Sequence, residues 1–384
     1  MIKNKIIGVV TGSRSDYGLL KELIYKIHLD KSLKLKLFVT GSHLSSEFGK
    51  TIRDVSKDKF KITDKVEILL SSDTNSGIAK TVGLGVISFT ESFKSNKIDV
   101  LIILGDRFEI FSAVQAAFFL NIKTVHIHGG EITEGVLDDS IRHSISKLSH
   151  LHFVTAQKHK QLLIKMGESP NTIFNVGAPG LDLIKKIKFI TKNKLEEKLS
   201  LKFDKHIFLV TFHPLTLNID DYLIGLNELF EALNFFKNTT IIFTYSNADV
   251  GGRRINGLIR KYSRSNENVK VYSSLGSQNY LSLMKISNLI IGNSSSGIIE
   301  APFLKKATIN IGDRQRGRIC SSSIINVKEN KNAIIRGIKK AMSNKFISTL
   351  NKTKSLYGNG NASNKMLQII KTKDITIKKL MEYK

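Results

Sequence analysis

Short apolar runs alternate along most of the chain with longer segments in which apolar residues recur every three or four positions. The short runs predict strands that are buried on both faces, and the longer spacing predicts amphipathic helices. In the first half, the predicted strands are 6–11, 35–40, 66–70, 99–104, 124–127 and 151–155. Helices are predicted between them at 19–28, 76–93, 110–120 and 140–148. This alternation favours an α/β fold with parallel sheets that helices cover on both sides.

The alternation stops near residue 180 and starts again near residue 205. Gly177, Pro179 and Gly180 lead into a lysine-rich stretch without a clear period, as expected of a connection. Further strands are predicted at 207–210, 240–243, 269–272, 288–291 and 308–311. We therefore predict two Rossmann-like, doubly wound domains that face a cleft, at residues 1–180 and 181–360. Residues 361–384 have a helical pattern, and we expect them to pack back on the first domain.

The chain carries a formal charge of +26, from 59 Lys and Arg against 33 Asp and Glu. Such an excess is typical of proteins that bind nucleic acid. However, the lysines are spread through every segment, and no basic motif with interleaved aromatic residues is present. A small polyanionic substrate, attracted by a few of these charges, is the simpler explanation. We therefore predict no nucleic-acid partner.

Cysteine content and apolar runs favour a cytoplasmic protein without a membrane partner. The single cysteine, Cys320, excludes a disulfide framework and suits a reducing compartment. The longest apolar runs, at 98–105 and 289–292, are too short to cross a bilayer. The first apolar run is followed at once by Arg14 and Asp16, which predicts a first strand and not a signal peptide.

Charged residues follow several predicted strands at their carboxyl ends, which is where open parallel sheets bind ligands. Arg14 begins a helix after Gly12, a place where an anion is favoured. Alternatively, Arg14 is a surface residue and Asp16 is the helix cap. Asp106 follows an apolar strand and precedes Arg107, so it can cap the next helix or act as an acid or base.

The segment HIHGGEITEGVLDDS, residues 126–140, combines two histidines, a glycine pair and four carboxylates. The glycine pair allows a sharp turn after the strand. His126 and His128 project to the same side of a strand, so a metal site is one interpretation, but no compact set of further ligands has a fixed spacing. Asp138 opens the following helix, either as a cap or as an acid–base group. We interpret the segment as a proton-transfer loop and predict no metal.

The second half offers donors that suit a nucleoside diphosphate. Ser294 and Ser295 open a helix directly after a strand, so backbone N–H groups and hydroxyls can hold phosphate there. Glu300 lies further along this helix, where it can accept hydrogen bonds from ribose hydroxyls. Further candidates near strand ends are His213, Asn247, Arg314, Arg316 and Arg318. No nicotinamide fingerprint or Walker loop is present, so we predict no cofactor.

Together these motifs resemble the hydrolysing UDP-N-acetylglucosamine 2-epimerases of bacterial sialic-acid-type sugar synthesis. They lie within about residues 5–320 and follow one another in the same order as in that family. The motifs are GSRSDYG, GSHLS, LGDRFEIF, HIHGGEITEG, DDSIRHSISKLSH, FHP, NADVGG, GNSSSGIIEAP and GDRQRGR. The resemblance implies a glycosyltransferase-B-like fold and a homodimer or homotetramer. It also implies a reaction: the enzyme removes the C2 proton of UDP-N-acetylglucosamine, expels UDP to leave a glycal, and adds water to give N-acetylmannosamine.

The resemblance further implies roles for single residues. Asp106 and Asp138 match catalytic carboxylates of the family. The residues that match nucleotide contacts are Arg14, His213, Ser294, Ser295, Glu300 and Arg314; the serines hold phosphate and Glu300 holds the ribose.

The chain departs from the family pattern at one position. Several relatives read HIEGG where this chain reads HIHGG, so His128 replaces a catalytic glutamate. Because histidine transfers protons near neutral pH, His128 and the nearby Glu131 join the candidate catalytic residues. Two alternative functions stay open. One is the same chemistry on a 2,4-diacetamido-2,4,6-trideoxy sugar of the legionaminic-acid route, and the other is a glycosyltransferase of the same fold.

Overall fold

The computed structural model of the chain describes residues 4–46, 50–70, 74–133, 137–214, 221–246, 251–377 and 379. The chain forms two compact units. Unit 1 consists of Met1–Glu131, Asp138–Leu183 and Tyr357–Lys384, and unit 2 consists of Ile132–Leu137 and Ile184–Leu356. Each unit is built around a parallel sheet of its own.

Unit 1 is doubly wound. Its strands are β1 (Lys5–Thr11), β2 (Leu33–Thr40), β3 (Ile62–Val66), β4 (Val100–Leu104), β5 (Lys123–Ile127), β6 (Leu151–Val154) and β7 (Ile173–Asn175). They pair in parallel in the order β3-β2-β1-β4-β5-β6-β7. The order reverses between β1 and β4, and such a switch point, at the carboxyl ends of the strands, is where open α/β sheets bind ligands.

Unit 2 repeats this design. Its strands are β8 (His206–Thr211), β9 (Thr239–Thr244), β10 (Val269–Tyr272), β11 (Leu289–Gly292), β12 (Ala307–Ile311) and β13 (Ile324–Val327). They pair in parallel in the order β10-β9-β8-β11-β12-β13, with the switch point between β8 and β11. The predicted α/β fold with two parallel sheets is therefore confirmed.

Helices connect most pairs of successive strands, and further helices follow β13. They are α1 (Arg14–Leu29), α2 (Ile52–Lys57), α3 (Asn75–Ser95), α4 (Phe108–Phe119), α5 (Leu137–Leu148), α6 (Gln157–Lys165), α7 (Gly180–Lys186), α8 (Lys192–Leu199), α9 (Asp221–Leu233), α10 (Gly252–Arg264), α11 (Gly276–Ile286), α12 (Ser295–Phe303), α13 (Lys331–Ala341), α14 (Asn344–Leu350) and α15 (Ala362–Thr372). Within the described ranges, no helix combines the length and the apolar character needed to traverse a bilayer.

The sheet of unit 1 is covered on both faces, because neighbouring strand residues point to opposite sides. Val9 packs on one face in a cluster with residues of α1, and Val10 packs on the other face with residues of α3 and α4. Met366 and Ile370 of α15 are fully buried in the first of these clusters. The C-terminal helix thus completes a core that begins with β1.

The outer strands differ most from the sequence prediction. The predicted strand 66–70 is wrong in position: β3 runs from Ile62 to Val66, and its sequence ITDKV has three polar residues between two apolar ones. β3 lies at a sheet edge and is only partly buried, so it does not need the continuous apolar run of a central strand. The edge strands β7 and β13 are short and partly exposed, and the apolar pattern missed both.

Candidate functional site

The turn between β1 and α1 holds an anion-binding candidate next to a buried acid. Ser13 is the N-cap of α1, and its Oγ accepts a hydrogen bond from the backbone N–H of Asp16 at 3.2 Å. The alternative with Asp16 as cap is therefore wrong. Arg14 is the first residue of the helix and is partly exposed, whereas Asp16 is 7% exposed. Burial raises the pKa of Asp16 to about 7; the charge of Arg107 opposes this shift and the charge of Glu109 adds to it.

Glu109 lies directly beneath the backbone of this turn. A Cβ atom on Gly12 would lie 2.5 Å from Glu109 Cγ, and one on Gly41 would lie 3.1 Å from Glu109 Oε1. Two glycines therefore make room for this carboxylate, which is 1% exposed. Arg107 Nε donates to Glu109 Oε1 at 2.7 Å. No sequence motif singled out Glu109, although its place in the first turn of α4 put it near the ends of β1 and β4.

Asp106 is an acceptor for a buried guanidinium. The helix cap of α4 is Arg107, without a side-chain cap bond, so the interpretation of Asp106 as N-cap is wrong. Instead, Asp106 accepts a hydrogen bond from Arg142 of α5. Arg142 is 2% exposed, and it also donates to the backbone oxygen of Glu131 at 2.7 Å and to Asp139 at 3.3 Å.

The charges around Arg142 fix it as a cation. Burial alone would lower the pKa of Arg142, but the charges of Asp106, Glu131 and Asp139 raise it above its ordinary value. This guanidinium thereby ties the end of β4 to the segment after β5 and to the first turn of α5. Asp138 lies in the same first turn and is partly exposed. At this position a carboxylate also complements the positive end of the helix dipole.

His128 and Glu131 form a second pair in the same segment. His128 Nδ1 lies 2.8 Å from Glu131 Oε1, and Thr155 Oγ donates to the same oxygen at 2.8 Å. His159 Nδ1 lies 2.9 Å from Thr155 Oγ. His128 is 9% exposed and has a backbone φ of +71°, in the left-handed region that few side chains adopt.

His126 does not join His128 in a metal site. His126 Nε2 lies 2.8 Å from the backbone oxygen of Gly105, and Nδ1 lies 3.0 Å from Ser146 Oγ. Complete burial lowers the pKa of His126 to about 3, so the ring is neutral and structural. Across the described parts of the chain, no group of three or more potential ligands could hold a metal ion.

The phosphate-binding candidates of unit 2 open helix α12. Ser294 is its N-cap, Ser295 is its first residue, and both are partly exposed. Gly292 precedes them with a φ of +126°, and a Cβ atom there would lie 2.0 Å from the backbone oxygen of Thr211. Only glycine therefore permits this approach of β11 to β8. Glu300 lies within the same helix and is partly exposed.

Asn293 joins three strand ends of unit 2. Its side chain accepts from the backbone N–H of His213 at 2.7 Å and donates to the backbone oxygen of His213 at 2.9 Å. Its own backbone oxygen accepts from Arg314 at 3.1 Å and from Gln315 at 2.8 Å. His213 Nδ1 lies 3.0 Å from Ser246 Oγ. The structure therefore brings His213 and Arg314 together through a residue that the sequence analysis quoted only as part of a motif.

Three further candidates from the second half of the sequence are Arg316, Arg318 and Asn247. Arg318 donates to Thr133 Oγ at 3.5 Å within unit 2, and Arg316 is exposed. Asn247 lies outside the residues that the structure describes. Glu109, Arg142 and Thr155 are the main residues of unit 1 that sequence reasoning missed. The only signal for Arg142 was its position four residues after Asp138, which is one helical turn.

Comparison with known proteins assigns a family and a fold. A family model described as UDP-N-acetylglucosamine 2-epimerase matches residues 25–371. A GDP/UDP-N,N′-diacetylbacillosamine 2-epimerase (hydrolyzing) from Campylobacter jejuni is 44% identical over 86% of each chain. A UDP-N,N′-diacetylbacillosamine 2-epimerase (hydrolyzing) from Legionella pneumophila is 38% identical over 94% of each. The crystal structure of a UDP-GlcNAc 2-epimerase from Neisseria meningitidis bound to UDP-GlcNAc has a TM-score of 0.82 at 19% identity, covering 96% of this chain and 100% of that one.

Proposed function

The chain belongs to the UDP-N-acetylglucosamine 2-epimerase family, and on that premise we propose that it is a hydrolysing 2-epimerase. Its reaction converts UDP-N-acetylglucosamine and water into N-acetylmannosamine and UDP. The observation that carries the proposal is the cluster around Arg142, where Asp106 and the His128–Glu131 segment meet at strand ends. Because such a cluster can move a proton, it suits chemistry at a C–H bond of the sugar.

The first half of the reaction is an elimination. A base removes the C2 proton, the electrons of the C2–H bond form a C1–C2 double bond, and UDP leaves with the electrons of its bond to C1. The C2 proton is weakly acidic, so its base must be held within hydrogen-bond reach. The candidate acids and bases are Asp106, His128, Glu131 and Asp138.

The second part of the proposal concerns the residues that bind the UDP moiety. The N–H groups and hydroxyls at Ser294 and Ser295 hold the diphosphate and stabilise the charge that develops on it as it leaves. Glu300 accepts from the ribose hydroxyls. The remaining proposed contacts are Arg14, His213, Asn247 and Arg314. No cofactor takes part in this scheme.

A second candidate substrate is a UDP-linked 2,4-diacetamido-2,4,6-trideoxyhexose. The names of the relatives that are 44% and 38% identical support it, because both name N,N′-diacetylbacillosamine. The elimination is the same for both sugars, since the C4 and C6 substituents do not take part in it. A glycosyltransferase of the same fold would need an acceptor and would leave the C2 proton in place. Cytoplasmic location and assembly into a homodimer or homotetramer stay predictions.

The decisive experiment is turnover in deuterated water. The pure protein is incubated with UDP-N-acetylglucosamine and, separately, with UDP-N,N′-diacetylbacillosamine, and products are followed by NMR. We expect free sugar of inverted C2 configuration, one UDP per sugar, and deuterium at C2. Faster turnover of the diacetamido nucleotide would assign the chain to that substrate.

Three results would contradict the proposal. Free sugar without deuterium at C2 would exclude the elimination. An epimer that keeps its UDP would indicate a non-hydrolysing epimerase. Transfer of the sugar to an added acceptor, without C2 exchange, would indicate a glycosyltransferase.

A further inference from the structure

One ring nitrogen of His128 faces a carboxylate, and the other has no hydrogen-bond partner among the described residues. Nδ1 lies 2.8 Å from Glu131 Oε1. Nε2 is buried, and no hydrogen-bond partner for it is found among the described residues. Buried polar atoms are nearly always hydrogen-bonded, and an exception in a native structure calls for an explanation. A role in chemistry is one such explanation.

The contact with Glu131 determines which nitrogen can accept a proton. A carboxylate only accepts hydrogen bonds, so the ring proton of the neutral imidazole lies on Nδ1 and the lone pair lies on Nε2. Thr155 Oγ also donates to Glu131 Oε1, and His159 Nδ1 is within hydrogen-bond distance of Thr155 Oγ. Glu131 is 1% exposed and is held from two sides. It therefore fixes both the tautomer and the orientation of His128.

The backbone holds His128 in this position at a conformational cost. Its φ of +71° is in the left-handed region, which is unfavourable for a residue other than glycine. Gly130, two residues further on, has a φ of +74°, and a Cβ atom there would lie 2.5 Å from the backbone oxygen of His159. The turn is thus packed against α6 and cannot relax without moving that helix. Strain of this kind is concentrated at functional sites.

Two of the other candidate acids, Asp106 and Glu131, are engaged as acceptors. Asp106 accepts from Arg142, and the Glu131 carboxylate accepts from Thr155 and faces His128. Building on the proposed function, we propose that His128 Nε2 is the base that removes the C2 proton. Glu131 is then a positioning residue, which stabilises the imidazolium that forms and does not itself touch the sugar.

The elimination transfers one proton to His128 and breaks one C–O bond of the sugar. Nε2 takes the C2 proton, the C2–H electrons form the C1–C2 double bond, and the C1–O bond breaks with its electrons on the departing UDP. The imidazolium, with Nδ1–H on Glu131, then returns its proton to water. In the second half, a different group donates a proton to C2 from the opposite face, water adds its oxygen to C1, and the proton that this water loses restores that group. His128 therefore acts in the elimination and not in the hydration of the glycal.

The two half-reactions separate this proposal from the proposed function. His128→Asn is the main variant, because asparagine tolerates left-handed backbone, and His128→Gln is the second. Wild-type protein and variants are given whichever UDP sugar the wild type turns over, and separately the corresponding 2-acetamido glycal with UDP. We expect both variants to lose UDP release and C2 exchange by about 10²–10⁴-fold. The rate of glycal hydration should stay within about threefold of wild type, because the variants keep the group that protonates C2 in that step.

Matched controls test the role of Glu131 and the effect of removing a histidine. His28→Gln, at an exposed position in the last turn of α1, should behave as wild type. Glu131→Gln keeps the shape but not the charge, so we expect kcat for elimination to fall by about 10²-fold with KM unchanged. Glycal hydration by this variant should be unaffected, which a merely structural defect would not allow.

The outcomes are distinct. A wild-type protein that turns over no UDP sugar would overturn the proposed function itself. An active wild type with His128 variants that retain C2 exchange would overturn the assignment of the base. Loss of elimination and of glycal hydration together, in a variant that still binds UDP, would also overturn it, because His128 would then not be confined to the first step.

Discussion

Asp16 is the residue whose surroundings have the clearest thermodynamic consequence. It shares the turn after β1 with Glu109 and Arg107, so two buried carboxylates face one guanidinium. Burial raises the pKa of Asp16 to about 7, which means that the folded protein retains its proton at pH values where the unfolded chain has lost it. A raised carboxyl pKa stabilises the protonated folded state, so stability falls as the pH rises from about 4 to about 7.

The variant Asp16→Asn mimics the protonated acid and should remove this fall. We expect it to match wild type near pH 4 and to exceed it above pH 7 by up to about 4 kcal/mol in free energy of unfolding. Urea unfolding at pH 4.5, 6 and 8 measures the difference. The control is Asp54→Asn, at a partly exposed ion pair of α2. Equal stability of Asp16→Asn and wild type at pH 8 would contradict the raised pKa.

Single residues also show what the sequence could and could not predict about the site. Asp106 and Ser294 follow apolar strands directly, so their place at the carboxyl ends follows from strand periodicity alone. Arg142 and Asn293 act through partners far along the chain; Asp106 is 36 residues from Arg142, and His213 is 80 residues from Asn293. No local pattern encodes such a contact, because it depends on which strands become neighbours. The left-handed backbone of His128 was equally hidden, because it depends on the turn that the chain makes there and histidine itself does not indicate it.

At the scale of elements, helix α5 is held at both ends. Its first turn carries Asp138 and the Asp139–Arg142 pair, and its last carbonyls are met by Lys379. Lys379 Nζ donates to the backbone oxygens of Ser146, Lys147 and Ser149 at 3.2, 2.7 and 2.8 Å, and it lies 2.7 Å from Glu168. A cation at the C-terminal end of a helix donates hydrogen bonds to carbonyl groups that lack an intrahelical partner, and it complements the helix dipole. The terminal segment thereby supports the helix that positions Arg142.

Lys379→Met should loosen α5. We expect a loss of about 1–3 kcal/mol, because the buried Glu168 carboxylate and several carbonyls lose a partner. The same variant should lower kcat through disorder of Arg142, with little change in UDP affinity. Hydrogen exchange of α5 amides and thermal unfolding report the effect. Lys371→Met is the control, because Lys371 makes a more exposed pair with Asp30 on the same terminal segment. Similar effects of the two substitutions would contradict this account.

At the scale of the molecule, the candidate acids and bases belong to unit 1, whereas the proposed nucleotide contacts belong to unit 2 except for Arg14. Asp106, His128, Glu131 and Asp138 belong to unit 1, whereas His213, Ser294, Glu300 and Arg314 belong to unit 2. If proton transfer and nucleotide binding divide in the same way, substitutions in each unit should affect different kinetic constants. The net charge of +26 is not required for either role, since the proposed contacts use a few arginines and backbone donors.

A pair of variants tests this division. Asp106→Asn should lower kcat by about 10²–10⁴-fold and leave the Kd for UDP nearly unchanged. Glu300→Ala should raise the Kd for UDP by about tenfold or more, because it removes a charged acceptor of two ribose hydroxyls. Isothermal titration with UDP and steady-state kinetics measure both. The reverse pattern would show that the two roles are exchanged between the units.

The path of the chain through the two units has a consequence for biosynthesis. In order, its segments belong to unit 1, unit 2, unit 1, unit 2 and again unit 1, and the last of these supplies Met366, Ile370 and Lys379. Every residue of unit 2 is therefore synthesised before the segment 357–384 that completes the core of unit 1. The unit whose synthesis begins first therefore completes its fold last, so a chain that ends at residue 356 and has left the ribosome should present a completed unit 2 and an unfinished unit 1.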